Sequence, residues 1–310
     1  MFIIADVGSN YRNYQDCVES IIEAKKCGAD AVKFQMYSPD HLYGNYKLAP
    51  AKKGGITQLW IKDLVETCRD YEIEFMCSTF APGMLNVIDK YADRHKIASA
   101  ELKYPALLEE ARDAGKPVYI STAASTEREI EECLDIFGGA RDLVTLLYCV
   151  GAYPALEEYY DLKKIGYLAS KFRVAVGLSD HTKSIIDPTE YGATCLEKHF
   201  KLRDFDTPDQ GHSFGPENFK AMVKTIRSNK FKYEPLPCER DFVEKHNRRL
   251  IAITNIRPGD KFRYNLNYGA FRSSRVCNDY ISPFDQDRIE GKLSKALVLA
   301  GKPITMRCVS

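Results

Sequence analysis

Pro117-Val118-Tyr119-Ile120-Ser121, then Ser125-Thr126-Glu127-Arg128-Glu129, then Leu143-Val144-Thr145-Leu146-Leu147-Tyr148-Cys149 follow one another along residues 117–149. The first and last are apolar runs of strand length. The middle one is a capping-box start, with Glu three residues after Thr, and it opens an amphipathic stretch, Thr126–Phe137. Strand, capped helix, strand is the local unit. The chain repeats it: eight such runs occur, Phe2–Val7, Ala29–Gln35, Ile73–Ser78, Lys96–Ser99, Pro117–Ser121, Leu143–Cys149, Phe172–Leu178 and Thr194–Phe200. Helical patterns lie between them, for example Asp16–Lys26, Gln58–Asp70, Tyr104–Ala114 and Glu157–Ser170, with Lys26-Cys27-Gly28 and Asp113-Ala114-Gly115 as stops. Eight alternations over about 230 residues predict an α/β fold, a (β/α)8 TIM barrel. A doubly wound sheet is the competing layout, but no G-x-G-x-x-G or Walker sequence is present.

The whole chain of 310 residues carries 44 Lys+Arg against 43 Asp+Glu, a net charge of +1. That balance speaks against nonspecific binding to nucleic acid or membrane. With 45% hydrophobic and 28% charged residues, the composition is that of a folded globular protein. No run approaches the roughly 18 apolar residues of a membrane span, and Met1–Asp6 lacks the basic start of a signal peptide. None of the ten cysteines forms a C-x-x-C pair, and several sit in apolar runs. They read as reduced core thiols of a cytoplasmic protein.

The barrel is expected over residues 1–229, with Pro216–Ser228 as its last helix. A linker follows over residues 230–245, aperiodic and proline-containing from Asn229 to Arg240. Residues 246–310 form a small β-rich unit. It has a strand at Leu250–Thr254, turns at Arg257-Pro258-Gly259-Asp260 and Ala300-Gly301-Lys302-Pro303, and a short helix from Ser282-Pro283 to Gly291.

Reactive groups of this fold gather where strands end. The eight ends offer Asp6, Lys33 and Gln35, Ser78-Thr79, Ser99 and Glu101, Ser121-Thr122, Tyr148, Ser179-Asp180-His181, and Glu197 with His199. Lys33/Gln35 and Glu197/His199 are spaced by two, so each pair shares one face of its strand. A lysine within Ala31-Val32-Lys33-Phe34-Gln35 requires a partner or an anionic ligand. Thr79, Ser99, Ser121 and Ser179 can ring a phosphate with Lys33 and Lys96, or simply cap strand-to-helix turns. His181 and His199 end adjacent strands beside Asp180 and Glu197. Such a pair can hold a divalent metal with open positions, or bond neighbouring backbone.

The segments Val32-Lys33-Phe34-Gln35, Lys96-Ile97-Ala98-Ser99, Gly177-Leu178-Ser179-Asp180-His181-Thr182 and Glu197-Lys198-His199-Phe200 resemble the sialic acid synthase family, N-acetylneuraminate synthase and its pseudaminic and legionaminic acid relatives. Arg249–Gly259 and Ile281-Ser282-Pro283 through Gly301-Lys302-Pro303 resemble its C-terminal antifreeze-like (SAF) domain. The resemblance implies condensation of phosphoenolpyruvate with an N-acyl hexosamine such as N-acetylmannosamine. The product is a nine-carbon 2-keto-3-deoxy acid, with phosphate released. By the same motifs His181 and His199 hold Mn2+, or Mg2+ or Co2+ in its place. Lys33, Thr79, Lys96, Ser99, Ser121 and Ser179 hold phosphoenolpyruvate. Gln35, Glu101, Tyr153 and Asp209 face the sugar, joined by Arg272 from the partner in a domain-swapped homodimer. Glu197, as general acid/base, with Lys33 and Asp6 are the candidate catalytic residues.

The chain departs from that family at named places. The usual Leu-His-Cys-Thr-x-x-Tyr-Pro is Leu147-Tyr148-Cys149-Val150-Gly151-Ala152-Tyr153-Pro154, and Ala152 stands where Asn is frequent. The usual Glu-Ile-Gly-x-Asn-His is Asp6-Val7-Gly8-Ser9-Asn10-Tyr11, and the usual Pro-Asp-His is Pro208-Asp209-Gln210. Phe271-Arg272-Ser273-Ser274 replaces an Arg-Pro-Gly stretch, leaving Arg275 as the second candidate cap residue. Two other functions fit the residues. One is a Schiff-base aldolase using Lys33 or Lys96. The other is a noncatalytic sugar-phosphate binder, motivated by the altered strand-six segment.

Overall fold

A computed structural model describes residues 1–38, 42, 55–228, 247–272 and 280–310. The expected linker over 230–245, Arg275, Cys238 and Cys277 lie outside the described residues. The chain divides into two compact units, Met1–Phe231 and Lys232–Ser310.

In the first unit eight strands close in sequence order: β1 (Phe2–Gly8), β2 (Ala31–Met36), β3 (Glu74–Thr79), β4 (His95–Ile97), β5 (Val118–Ser121), β6 (Val144–Cys149), β7 (Ala175–Asp180) and β8 (Cys195–His199). All neighbours are parallel, and β8 pairs back onto β1 with Ile4 opposite Glu197 and Asp6 opposite His199. This is a (β/α)8 TIM barrel. Around it run α1 (Tyr14–Lys26), α2 (Gln58–Asp70), α3 (Met84–Asp89), α4 (Pro105–Asp113), α5 (Glu127–Phe137), α6 (Lys163–Phe172) and α7 (Pro216–Ser228). The capping box at α5 forms as its sequence predicts. The Thr126 hydroxyl accepts from the Glu129 backbone N–H, and the Glu129 carboxylate accepts in return from that of Thr126. Ile130, Cys133, Leu134 and Phe137 line its buried face.

Three expected elements change. Between β7 and β8 the described chain forms only a 3₁₀ turn, Thr189–Tyr191, because Pro188 and the left-handed Gly192 bound it too tightly for a helix. The helix expected over Glu157–Ser170 is a 3₁₀ turn, Glu157–Tyr159, followed by α6. Phe172 ends α6 instead of opening β7, since the chain reverses at Arg173 with φ 55°. Finally, β4 stops at Ile97, and Ser99 starts a 3₁₀ turn.

The lumen is a packed plug of Ile4, Ala31, Met76, Tyr119, Leu147 and Cys195. Two residues further along five of those strands come Asp6, Lys33, Ser78, Ser121 and Glu197. Strand alternation carries the same inward face from an apolar layer to a charged one at the C-terminal mouth. The other faces pack outward against the helices, as Val32, Phe34, Phe75 and Cys77 do.

The second unit has an antiparallel pair, β9 (Arg248–Ala252) and β10 (Tyr268–Arg272), with Arg248 opposite Arg272. Its strand begins two residues before the expected Leu250. Leu250, Ala252, Ile256, Phe262, Tyr268, Ile281, Ile289, Val298, Ile304 and Val309 make its own core. The side chain of Ser282 caps the 3₁₀ turn Pro283–Arg288. The eight described cysteines are free, and all but Cys308 are buried. Among the described residues no helix is long and apolar enough to cross a membrane.

Candidate active site

The mouth of the barrel opens into a cavity of about 310 Å³, lined among others by Lys33, Gln35, Lys96, Ser99, Tyr153 and Asp209. Lys33 and Lys96, both 2% exposed, stand at its floor. Lys33 Nζ lies 2.8 Å from Asp6 Oδ2 and 3.6 Å from Glu197 Oε2, and donates to Ser78 Oγ at 3.2 Å. Burial would lower its pKa, but Asp6 and Glu197 outweigh burial and hold the ammonium above its ordinary range. Lys96 differs. It donates to Ser121 Oγ at 2.8 Å and to the Ile97 carbonyl at 3.0 Å, while the nearest carboxylate, Glu197, is 3.9 Å away. Burial therefore prevails and lowers its pKa, against Glu197 and with Lys33 adding to the fall. A buried ammonium with only neutral hydrogen-bond acceptors is poised for an anion.

Glu197 accepts from Ser179 Oγ at 2.9 Å through Oε1, and its Oε2 has no hydrogen-bond partner among the described residues. Ser99 Oγ accepts from the Ala123 N–H at 3.1 Å. The hydroxyl that strand three presents to the cavity is Ser78. Thr79, expected there, is buried one residue further along and does not line it, because successive residues alternate across the strand. Glu101 sits on the 3₁₀ turn after β4, outside the cavity lining and 9% exposed. Burial pushes its carboxyl up to about 7, with Lys96 pulling it down. Asp180 does not stand beside the histidines: it faces away and pairs with the fully buried Lys198 at 2.6 Å. Tyr148 likewise points outward, its ring edge-on to Tyr160 and its hydroxyl accepting from Asp161 N–H. Arg272 ends β10 in the second unit.

Three imidazoles gather in the same cavity, and Asp6 Oδ2, the partner of Lys33, also lies 3.6 Å from His199 Nε2. His181 and His199 have ring centroids 5.6 Å apart, and His212 stands 4.4 Å from His199 and 6.3 Å from His181. The Tyr153 ring lies 4.2 Å from His181 and 5.0 Å from His212. A carbonyl can only accept, so His181 Nδ1 carries the proton it donates to Val150 O at 2.7 Å. Its Nε2 is left bare, 3.4 Å from Ser179 Oγ. Burial, reinforced by the neighbouring imidazoles, lowers His181 to about 3 and His212 to about 4. Both rings are neutral at pH 7, the form that binds metals. His199 Nδ1 and His212 Nε2 have no hydrogen-bond partner among the described residues. With Asp209, these two histidines place donor atoms within 4.8 Å of one another.

His212 escaped the sequence reading. It belongs to a 3₁₀ turn, Gln210–His212, after β8, and no strand period points to it. Asn10 holds that loop, donating to the Phe200 carbonyl at 3.0 Å and to Ser213 Oγ at 2.7 Å while accepting from Thr207 Oγ1 at 2.8 Å. Asp209 Oδ2 accepts from the Ser9 N–H and hydroxyl, each at 2.7 Å. Gly8, with φ 55°, makes room: a Cβ there would fall 2.4 Å from Asp209 Oδ2 and 3.4 Å from His199 Nδ1.

The sequence model described as NeuB family matches residues 20–233. The spore coat polysaccharide biosynthesis protein SpsE of Bacillus subtilis is 34% identical over 73% of this chain and 67% of its own. The pseudaminic acid synthase of Campylobacter jejuni is 33% identical over 73% of each chain. Among solved structures, the N-acetylneuraminic acid synthetase of Leptospira borgpetersenii, in complex with citrate, superposes with a TM-score of 0.71 at 30% identity. The match covers 78% of this chain and 90% of that one.

Proposed function

The chain belongs to the NeuB family, and on that premise we propose that it is an enzyme condensing phosphoenolpyruvate with an N-acyl hexosamine. The product would be a nine-carbon 2-keto-3-deoxy acid, with inorganic phosphate released. The observation that carries this reading is the under-neutralised Lys96, set with Lys33 and the hydroxyls Ser78, Ser99, Ser121 and Ser179 in a cavity that three imidazoles also line. The ammonium and hydroxyl groups suit an anion, and the imidazoles suit a metal with a carbonyl compound. The relatives named as synthases of pseudaminic and N-acetylneuraminic acid support the same reaction class.

The unprotonated His181 Nε2, and His199 Nδ1 and His212 Nε2, which have no hydrogen-bond partner among the described residues, are fitting donors for a divalent ion such as Mn2+. When bound, such an ion supplies Lewis acidity towards the aldehyde oxygen. Lys33 and Lys96 hold the phosphate and carboxylate of phosphoenolpyruvate by charge-assisted bonds, and the serine hydroxyls fix its orientation. Its C3 forms the new carbon–carbon bond to the aldose C1 with the electron pair of the enol double bond, and the opened aldehyde oxygen becomes a hydroxyl by taking up the proton that Glu197 receives from water. Water adds at C2 after giving a proton to Glu197, whose Oε2 has no hydrogen-bond partner among the described residues. The bond between C2 and the phosphate oxygen then breaks, and phosphate leaves as C2 becomes the ketone. Asp6 keeps Lys33 charged and in place. Gln35, Tyr153 and Asp209 at the rim face the aldose, with Glu101 behind them and Arg272 reaching it from a partner subunit. The second unit is assigned as an antifreeze-like domain, and the chain as a homodimer.

The test is a phosphate-release screen with phosphoenolpyruvate, Mn2+ and a panel of N-acyl hexosamines. Release with at least one aldose, abolished by chelation and restored by Mn2+, is expected. Lys96→Met should weaken phosphoenolpyruvate binding by about 1.5 to 3 kcal/mol. Binding without turnover on any aldose would instead establish a sugar-phosphate binder. One observation favours a Schiff-base reading, the lowered pKa of Lys96. Borohydride trapping with pyruvate in the absence of metal would establish it.

A further inference from the structure

The motif read in other members as Pro-Asp-His is Pro208-Asp209-Gln210 here, and the histidine of this segment comes two residues later, as His212. It is 3% exposed and lines the mouth cavity. We propose that His212 is a third imidazole ligand, which with His181, His199 and Asp209 makes a three-nitrogen, one-carboxylate site selective for a first-row transition ion over Mg2+. The proposal rests on the metal-dependent reading above and adds a ligand to it.

Metal–nitrogen bonds are about 2.1 Å long, so two imidazoles on one ion have ring centroids no more than about 6.5 Å apart. All three separations here, 4.4, 5.6 and 6.3 Å, fall within that bound; the donor atoms of His199, His212 and Asp209 already lie within 4.8 Å of one another, a group that His181 has to move to join. The donors are also free to bind. His181 Nε2 is bare because Nδ1 is committed to Val150, and His212 Nε2 and His199 Nδ1 have no hydrogen-bond partner among the described residues. Asp209 turns Oδ2 to Ser9 and Oδ1 towards His212 Nε2, 3.9 Å away, which is too long for a hydrogen bond. A buried imidazole and a half-buried carboxylate that stop short of bonding each other, beside a third donor, leave space for an ion between them. Nitrogen-rich sites of this kind suit Mn2+, Fe2+, Co2+ or Zn2+, whereas Mg2+ prefers oxygen donors and water. The bland alternative is that His212 only packs against Tyr153. A phenyl ring would serve that purpose equally well.

Mn2+ binding to the full chain, followed by the paramagnetic resonance of the free ion, separates these readings. His212→Phe retains the ring and His212→Gln retains polarity, while neither supplies the imidazole nitrogen. Both should raise the Mn2+ dissociation constant at least tenfold, and a hundredfold excess of Mg2+ should not displace Mn2+ from the wild type. Unchanged Mn2+ affinity in both variants, with loss in His199→Ala, would overturn the His212 assignment while the metal reading stood. Failure of the wild type to bind Mn2+ would overturn both. Electron–nuclear double resonance on the Mn2+-loaded wild type does not depend on any variant folding: three coupled imidazoles support the proposal and two overturn it.

Discussion

Glu101 has a carboxyl pushed up to about 7 by burial, with Lys96 only partly opposing it and with Oε2 lacking a hydrogen-bond partner among the described residues. Its charged form is therefore the costly one. Between the ordinary value of 4.5 and about 7 the folded protein binds more protons at this position than the unfolded chain. Stability accordingly falls as pH rises through that window, and the full penalty is present above it. Glu101→Gln removes the titration. Urea unfolding at pH 5 and pH 8 should show the variant gaining on the wild type with pH, by up to about 3 kcal/mol. Parallel stabilities at the two pH values would mean that the carboxylate finds a partner when it ionises. Occupancy of the cavity by an anion would draw on the same lysine, so phosphoenolpyruvate should raise the apparent pKa of Glu101 further.

The strands carry the most legible information. Ile4/Asp6, Ala31/Lys33 and Cys195/Glu197 each show an apolar inward residue followed two places later by a charged one, and period two puts Lys33 with Gln35 and Glu197 with His199 on one face of each strand, which the structure makes the inward one. The same rule separates Ser78 from Thr79, but it needs the strand's phase, which Phe75-Met76-Cys77 conceals because both faces are apolar. The β7–β8 connection was illegible as a pattern, since a 3₁₀ turn bounded by Pro188 and Gly192 has no period to read. His212 was hidden for a related reason: its place depends on hydrogen bonds from Asn10, some two hundred positions earlier. One element-scale consequence is testable. Gly177 lies on β7 against the lumen plug, where an added Cβ would sit 2.2 Å from Cys195 Sγ and 2.7 Å from the Cys195 carbonyl. The carbonyl belongs to a paired strand and cannot rotate away. Gly177→Ala should cost about 1–3 kcal/mol by overpacking, read as a lower urea midpoint. An unchanged midpoint would mean that β7 and β8 can separate cheaply at this height.

At the scale of the whole molecule, the two units have separate cores, and the described residues of the second form a two-stranded sheet with a few turns about ten buried apolar side chains. So small a unit is marginal alone. Its β9–β10 pair also sets Arg248 directly opposite Arg272, a like-charge juxtaposition that costs free energy unless an anion or carboxylate relieves it. Arg248 spends part of its guanidinium on the Ala270 carbonyl, and Arg272 stands exposed at the strand end. The proposed role as a cap over a neighbour's site would relieve this repulsion, because an acidic sugar product or phosphoenolpyruvate supplies the missing negative charge. Mixing an Arg272→Ala chain with a His199→Ala chain tests the arrangement. Each homodimer would lack one part of every site, whereas a hybrid dimer that caps in trans holds one site with an intact barrel and an intact cap. Activity should therefore return to about a quarter of the wild-type value: random exchange makes half the dimers hybrid, and each hybrid has one good site of two. Capping in cis would leave Arg272→Ala and His199→Ala defects on separate sites with none intact. Exchange verified by mass spectrometry without any rescue would then exclude the trans arrangement.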